Sequence, residues 1–341
     1  MILTADEIRD ALERVPRVAL AHLPTPFEEV PAFAEALGGR VRIFIKRDDC
    51  TGLLLGGNKA RHAEFLMGDA LDRDCDLVVW GAGVQSNNCR QTAAACAKLG
   101  LPCHLYLSRA AASTEPQGNL LLDYLVGAHV EFTDAPIGPE LDAYLAAKAD
   151  GFRGAGRNPY VWDRTRVVSR AALSYVDCMA EVAEDLEAEG VDAAAVYVSS
   201  SGGTGAGVAL GAQLLGMHAK VRLICPMLWP WSIPEALAAD ANAAADLLGM
   251  PHRLSASDID ADESHIGPGY GMPSKAGQEA LHLLARTEAI LLDPVYSAKA
   301  MAALIADVRG GRYPAGSSVV FIHTGGVPAI FADPAGVMGA G

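Results

Sequence analysis

The stretch that decides the fold runs Ala194-Ala-Val-Tyr-Val198, then Ser199-Ser-Ser-Gly-Gly-Thr-Gly205, then an apolar helical pattern to Leu215. Five consecutive apolar residues read as a buried strand. A glycine turn leading straight into a helix is the joint of a strand–helix–strand unit. Successive backbone N–H groups and several hydroxyls, with no lysine among them, form a nest suited to a dianionic phosphate. Taken alone, the loop reads equally well as an unliganded strand–helix turn.

The same alternation extends outward in both directions. Strands are predicted at Val41–Ile45, Asp76–Trp80, Cys103–Leu107, His129–Phe132, Tyr160–Trp162, Val221–Cys225 and Ser318–Ile322. Helices are predicted at Lys59–Leu71, Ser86–Leu99, Asn119–Leu125, Glu140–Ala149, Ala171–Glu187, Pro234–Leu248, Ser274–Arg286 and Ala298–Val308. Thr4-Ala-Asp-Glu7 forms a capping box that opens a further helix to about Arg14. The pattern implies an α/β fold with parallel sheet covered by helices on both faces. Arg153-Gly-Ala-Gly-Arg-Asn-Pro159 is the candidate hinge, and Asp258–Gly271 is the longest irregular segment.

Composition excludes several classes. The 341 residues are 51% hydrophobic, which excludes intrinsic disorder, and the net charge of −14 argues against a nucleic-acid partner. The charge-free run Ala193–Ala219 is long enough for a membrane span, but its serines, six glycines, Gln213 and His218 suit strand, loop and helix better. No basic segment followed by an apolar one opens the chain, so a soluble, cytoplasmic protein is expected. Seven cysteines without a CxxC pair read as reduced, packed thiols. The histidines lack metal-ligand spacing, and no metal site is expected.

Two more glycine loops precede helices. Gly56-Gly57-Asn58-Lys59 lacks the Ser/Thr that a nucleotide-hydrolase phosphate loop places after its lysine. Lys59 reads either as a solvated charge or as a lysine whose neutral amine is favoured by the positive end of the helix dipole. Imine chemistry requires that neutral form. Gly81-Ala-Gly83-Val-Gln-Ser86-Asn87-Asn88 differs from the dinucleotide fingerprint at Ser86, and the acidic residue expected further on is replaced by Leu107-Ser-Arg109. What remains is a helix start offering Ser86, Asn87 and Asn88 to a carboxylate. A phosphate cup, a carboxylate cup and a poised lysine together are what a pyridoxal phosphate enzyme needs.

These residues resemble the family of D-cysteine desulfhydrases and 1-aminocyclopropane-1-carboxylate deaminases, within the tryptophan synthase β-like group. The matching stretches are His22-Leu-Pro-Thr-Pro26, Ile45-Lys-Arg-Asp-Asp49, Gly56-Gly-Asn-Lys-Ala-Arg61, Gln85-Ser-Asn-Asn-Cys-Arg-Gln91 and Ser201-Gly-Gly-Thr204, followed by Arg286-Thr-Glu288, Asp293-Pro-Val-Tyr296 and His323-Thr-Gly-Gly326. The resemblance implies two domains, each with a mostly parallel twisted sheet flanked by helices. Residues 1–60 and 165–341 would form the large cofactor-binding domain and residues 61–164 the smaller one, with the site in the cleft. It also implies pyridoxal 5'-phosphate as cofactor, a small amino-acid substrate and a homodimer. Lys59 would carry the cofactor and shuttle the Cα proton. Ser86, Asn87 and Asn88 would hold the substrate carboxylate, with Asn87 also near the cofactor's phenolic oxygen. Ser200, Ser201, Gly202, Gly203 and Thr204 would cup the phosphate, with His62 nearby. Tyr270 and Tyr296 would face the substrate, and Thr324 the pyridine nitrogen.

Ser297 and Thr324 stand where the cyclopropane deaminases carry Glu and Leu, so the chain resembles the desulfhydrase side, which includes L-cysteate sulfo-lyases. Ser297 is accordingly assigned to the substrate pocket. The chain departs from the family at three places. His62 replaces a usual lysine, which would make its phosphate contact pH-dependent. Trp162-Asp-Arg-Thr-Arg-Val-Val-Ser-Arg170 replaces a glycine-serine loop, and Leu228-Trp-Pro-Trp231 replaces smaller polar residues. The arginines read as a solvated loop or as a cationic pocket wall suited to an acidic leaving group; the tryptophans read as interdomain packing or as that same wall. His265 reads as a surface residue rather than an acid catalyst. D-cysteine desulfhydration, L-cysteate sulfo-lysis, and elimination or replacement on a bulkier amino acid all remain open, as does a non-catalytic cofactor-binding role.

Overall fold

The computed structural model describes residues 2–109 and 113–338. In chain order the first half holds α1 (Ala5–Leu12), β1 (Phe27–Glu29), α2 (Pro31–Ala36), β2 (Arg42–Lys46), α3 (Asn58–Asp72), β3 (Leu77–Gly83), α4 (Asn87–Leu99), β4 (Cys103–Ser108), α5 (Gly118–Leu125), β5 (His129–Thr133), α6 (Pro139–Gly154) and β6 (Pro159–Val161). There follow α7 (Arg164–Glu189), β7 (Ala193–Ser199), α8 (Gly203–Leu214), β8 (Lys220–Ile224), α9 (Ile233–Leu247), β9 (Asp260–Asp262), α10 (Lys275–Glu288), α11 (Ser297–Arg309), β10 (Ser318–Ile322) and α12 (Pro334–Met338).

The strands form two sheets, of order β1-β2-β10-β7-β8-β9 and β5-β4-β3-β6. Every pairing is parallel except β1 with β2, so the α/β class with two mostly parallel sheets holds. Strands β7 and β10 are apolar on both faces because helices cover both. Val196 and Val198 pack toward α7, α8 and α9, while Ala195 and Tyr197 pack toward α10 and α11. The smaller sheet is sandwiched likewise between α3, α4 and α5 on one face and α6 on the other. Each fully buried Leu or Val contributes about 1.5–3 kcal/mol relative to exposure. The capping box forms, with Thr4 Oγ1 accepting from Glu7 N–H and Glu7 Oε2 accepting from Thr4 N–H.

Three expectations are corrected. The segment after Trp162 is not a loop: Asp163 caps a 26-residue α7 by accepting from Arg166 N–H, and arginine propagates a helix well. The Gly- and Pro-punctuated stretch at 153–159 does not join two sheets: α6 before it and β6 after it both belong with the four-stranded sheet. Asn158 is tied to the end of α3, donating to the carbonyls of Arg73 and Asp74 at 2.9 and 3.0 Å. The irregular segment at 258–271 contains β9, whose Asp260 and Asp262 carboxylates are bridged by Arg222. Like β1, this is a charged, three-residue edge strand held by its neighbour, which no local apolar pattern announces.

Candidate active site

The carboxyl ends of β3 and β7 deliver their glycine loops to one cleft, joined there by the Gly56–Lys59 turn and by Thr324 after β10, where ligands bind in open α/β sheets. Its cavity of about 310 Å³ is walled by Lys59, His62, Ser86, Asn87, Asn88, the segment Ser199–Thr204, Tyr270, Tyr296 and Thr324.

Lys59 is set by an unusual turn. Leu53, Leu54 and Leu55 all take left-handed φ angles of 40°, 57° and 67°, a strained choice for residues with a Cβ. The turn is over-determined from α4: Arg90 donates to the carbonyls of Leu54 and Gly56, and Gln91 Nε2 donates to Gly56 at 2.7 Å. Gly56 follows at φ +64°, and a Cβ there would meet the Asp49 carbonyl oxygen at 1.9 Å. Gly57 donates to the Asp48 carbonyl, Asn58 donates to the Thr324 carbonyl at 3.0 Å, and the helix starts with Lys59 turned into the cavity. Burial lowers the Lys59 amine to about 8. Beneath α3, Arg61 is buried against Asp48 and Glu181 at 2.8 and 2.7 Å, and Lys46 adds a second cation to Glu181. That ionic floor fixes the helix without reaching the cavity. Arg90, Gln91 and Arg61 lie inside the quoted motifs, yet only their tertiary partners assign them a task.

Ser86 caps α4, its Oγ accepting from Asn88 and Cys89 N–H at 3.2 Å. Asn87 Oδ1 accepts from Asn119 Nδ2 at 3.0 Å, and Asn119 is itself held by Gln85 and Arg90. The Asn87 NH2 group is thereby left for the cavity. At α8, no side chain caps Gly202, and a Cβ added there would meet nothing within 4 Å, so the loop faces open space. Gly203 admits no side chain, because its Cβ would lie 2.9 Å from Ala171 Cβ and 3.0 Å from the Val168 carbonyl. Ser200 Oγ accepts from Gly205 N–H at 2.8 Å and shapes the turn, while Trp229 Nε1 donates to Ser201 Oγ at 3.0 Å.

His62 joins the lysine to this loop. Its Nδ1 lies 3.4 Å from Lys59 Nζ and its Nε2 3.0 Å from Thr204 Oγ1. A protonated Lys59 donates to Nδ1, so Nε2 carries the proton and donates to Thr204. Asn58 Nδ2 also donates to Thr204 Oγ1, at 2.9 Å. In that tautomer both lone pairs of the oxygen are engaged and its O–H is left to donate to an anion. Burial and Lys59 hold His62 well below its ordinary value, which favours the neutral imidazole where no phosphate adjoins it.

The hydroxyls of Tyr270 and Tyr296 meet at 2.5 Å above the cavity. Ser297 is corrected: it is fully buried and braces Asp293, with its Oγ 2.7 Å from Oδ1, and it does not line the cavity. Asp293 in turn accepts from the N–H groups of Val295, Tyr296 and Ser297, fixing the turn that presents Tyr296. Of the arginines after Trp162, Arg166 and Arg170 pair with Asp69 at 2.7 and 3.1 Å. Only Arg164 reaches the cavity wall, stacked 4.9 Å over the Trp231 ring, which lies against Trp229. His265 lies outside the cavity, 3.9 Å from Asp262. Among the described residues no group of His, Cys, Asp or Glu is arranged to hold a metal, and no helix is long and apolar enough to cross a membrane.

Residues 18–325 match the model of the pyridoxal-phosphate dependent enzyme family. The chain belongs to that family. It is 38% identical over 325 residues to a D-cysteine desulfhydrase of Salmonella newport (strain SL254), covering 94% of this chain and 97% of the relative. Its fold matches the crystal structure of an ACC deaminase homologue with a TM-score of 0.87 and 32% identity, over 96% of this chain and 97% of the other. A pyridoxal 5'-phosphate-dependent aspartate racemase shares the fold at 18% identity and TM-score 0.65, over 95% of both chains. The cofactor of this enzyme is pyridoxal 5'-phosphate, and the residues fit it. The open cradle at Gly202 with the outward Thr204 hydroxyl suits its phosphate, the Asn87 amide suits its phenolic oxygen, and Lys59 supplies an amine with a depressed pKa.

Proposed function

We propose that the enzyme catalyses α,β-elimination on a small amino acid, converting D-cysteine and water to pyruvate, ammonium and sulfide. The observation that carries this reading is the meeting of Lys59 and the Tyr270–Tyr296 hydroxyl pair in one small cavity. The cavity of about 310 Å³ stands at the lower end for ligand sites and must hold the cofactor as well, which leaves room for a compact substrate. The substrate carboxylate is taken at the start of α4 by Ser86, Asn87 and Asn88, where the helix dipole favours an anion. Pyridoxal phosphate supplies the electron sink that makes the Cα proton acidic. Lys59 accepts that proton as the neutral amine. The Cβ–S bond breaks with its electron pair on sulfur, and the phenol pair stabilises the departing thiolate by hydrogen bonding. The 2-aminoacrylate left by loss of sulfide then takes up water, yielding the 2-oxoacid and ammonium.

The test is Lys59→Ala assayed for pyruvate and sulfide with D-cysteine. Turnover should vanish while the fold is kept; unchanged product formation would sink the scheme. Release of neither product by the cofactor-loaded parent would move the weight to an acidic or larger substrate, and no turnover on any amino acid would favour a non-catalytic binding protein. A second reading, elimination from a larger or acidic amino acid such as L-cysteate, is favoured by Arg164 in the wall over Trp231. Sulfite release from L-cysteate, reduced by Arg164→Met while D-cysteine turnover is kept, would establish it.

The chain is further proposed to divide into residues 1–60 with 165–341, and 61–164. The strands of the six-stranded sheet all fall in the first set and those of the four-stranded sheet in the second. A homodimer is proposed from the family resemblance. A cytoplasmic location is supported by seven unpaired cysteines, six of them buried.

A further inference from the structure

The segment that carries Tyr270 is a surface loop. Pro268, Gly271 and Met272 are exposed, and the Met272 N–H reaches the Gly269 carbonyl only at 3.4 Å. A loop with few internal ties opens locally at little cost. Yet Tyr270 must keep its hydroxyl against Tyr296 for the pair to act as one.

One contact reaches this loop from the protein interior. Lys299, in the first turn of α11, has no exposed surface, and its Nζ donates to the Gly269 carbonyl at 2.9 Å. Burial pulls its ammonium below the ordinary lysine value, opposed by Asp293. Asp293 is already occupied by three backbone N–H groups and the Ser297 hydroxyl. A buried cation is costly, and the first turn of a helix is electrostatically the wrong end for one. Methionine would fill the same space without either cost. What methionine would not supply is the hydrogen bond to Gly269.

We infer that Lys299 is the positioning residue of the phenol pair, tying the Gly269 carbonyl to α11 so that Tyr270 is held against Tyr296 at the start of that helix. Asp293 fixes the backbone of one tyrosine and Lys299 the loop of the other. The inference rests on the proposed use of these phenols in leaving-group departure.

The test is Lys299→Met in the cofactor-loaded enzyme, alone and combined with Tyr270→Phe. Asp293 keeps its three backbone N–H donors and the Ser297 hydroxyl in Lys299→Met, so the fold should be retained, which thermal unfolding checks. Amide exchange over residues 267–272 should rise about tenfold while that over residues 297–309 is unchanged. On D-cysteine kcat should fall about tenfold with KM moving less than about threefold. In the Tyr270→Phe background the same substitution should change kcat by less than about twofold, because the group it positions is gone. Lys299→Gln, which keeps an N–H donor, should recover part of the loss. Unchanged exchange over residues 267–272, or an equal loss of kcat in both backgrounds, overturns the inference. A Tyr270→Phe enzyme with unaltered kcat overturns the reading of the phenols, and with it the catalytic use of the tether, while the exchange comparison still reports the tether itself.

Discussion

Among the helix N-termini at the cavity, those of α4 and α8 handle their unpaired N–H groups in opposite ways. At α4 the serine at the cap turns its own hydroxyl onto the N–H groups of Asn88 and Cys89. At α8 the cap is a glycine with no side-chain bond, and the turn is shaped from behind by Ser200. A helix start carries about half a positive charge in either case. The difference is suited to a resident group and a transient one. A bare glycine cradle suits a phosphate that stays bound, whereas a self-capped start is satisfied between visits of a substrate carboxylate.

The largest expected effect breaks the α8 side. Gly203→Val forces a side chain against Ala171 and the Val168 carbonyl, displacing the cradle. With charge-assisted hydrogen bonds worth about 1.5–3 kcal/mol each, losing two should weaken cofactor binding by about 100-fold or more. Equilibrium dialysis of pyridoxal phosphate measures this, and unchanged affinity would remove the phosphate from this loop.

A second experiment probes the lysine between the two cups. With its amine at about 8, the neutral fraction of Lys59 falls about tenfold per pH unit well below that value. The rate at which cofactor attaches to the stripped enzyme should fall about fivefold from pH 8 to 7 and about ninefold from pH 7 to 6, and rise only about twofold above 8 as the amine becomes fully neutral. His62, neutral throughout, should add no second inflection in this range. A distinct step near pH 6.5 that disappears in His62→Gln would contradict the burial argument.

The smallest effect should come from the α4 side. Ser86→Ala removes the cap and should lower stability by about 1 kcal/mol, read in denaturant or thermal unfolding. KM for D-cysteine should rise about tenfold, the loss of one hydrogen bond to a carboxylate, while cofactor affinity stays put. Equal losses of substrate and cofactor affinity would erase the distinction between the two helix starts.

How much of this was legible in the chain varies by residue. The cups were, because glycine loops between an apolar strand and a helical pattern declare themselves locally, and an extended run of ordered motifs pointed to the family. The left-handed Leu53–Leu55 turn was not, since nothing in three leucines signals positive φ; the strain is held by Arg90 and Gln91 from another helix. The arginines after Trp162 show the same limit. Their charge was visible, but Asp69, some hundred residues earlier, engages two of them and leaves one to the cavity.

The sequence by itself determined the layered α/β plan, the lysine and the three glycine-bearing turns, because each follows from short-range chemistry: periodicity, capping and the freedom of glycine. Only the tertiary structure decided that Ser297 braces Asp293 and stays out of the pocket, that His62 is neutral, and that Lys299 reaches a distant loop. Those outcomes depend on which groups burial brings within hydrogen-bond range. Desolvation and pairing are properties of the assembled neighbourhood, not of any segment read alone.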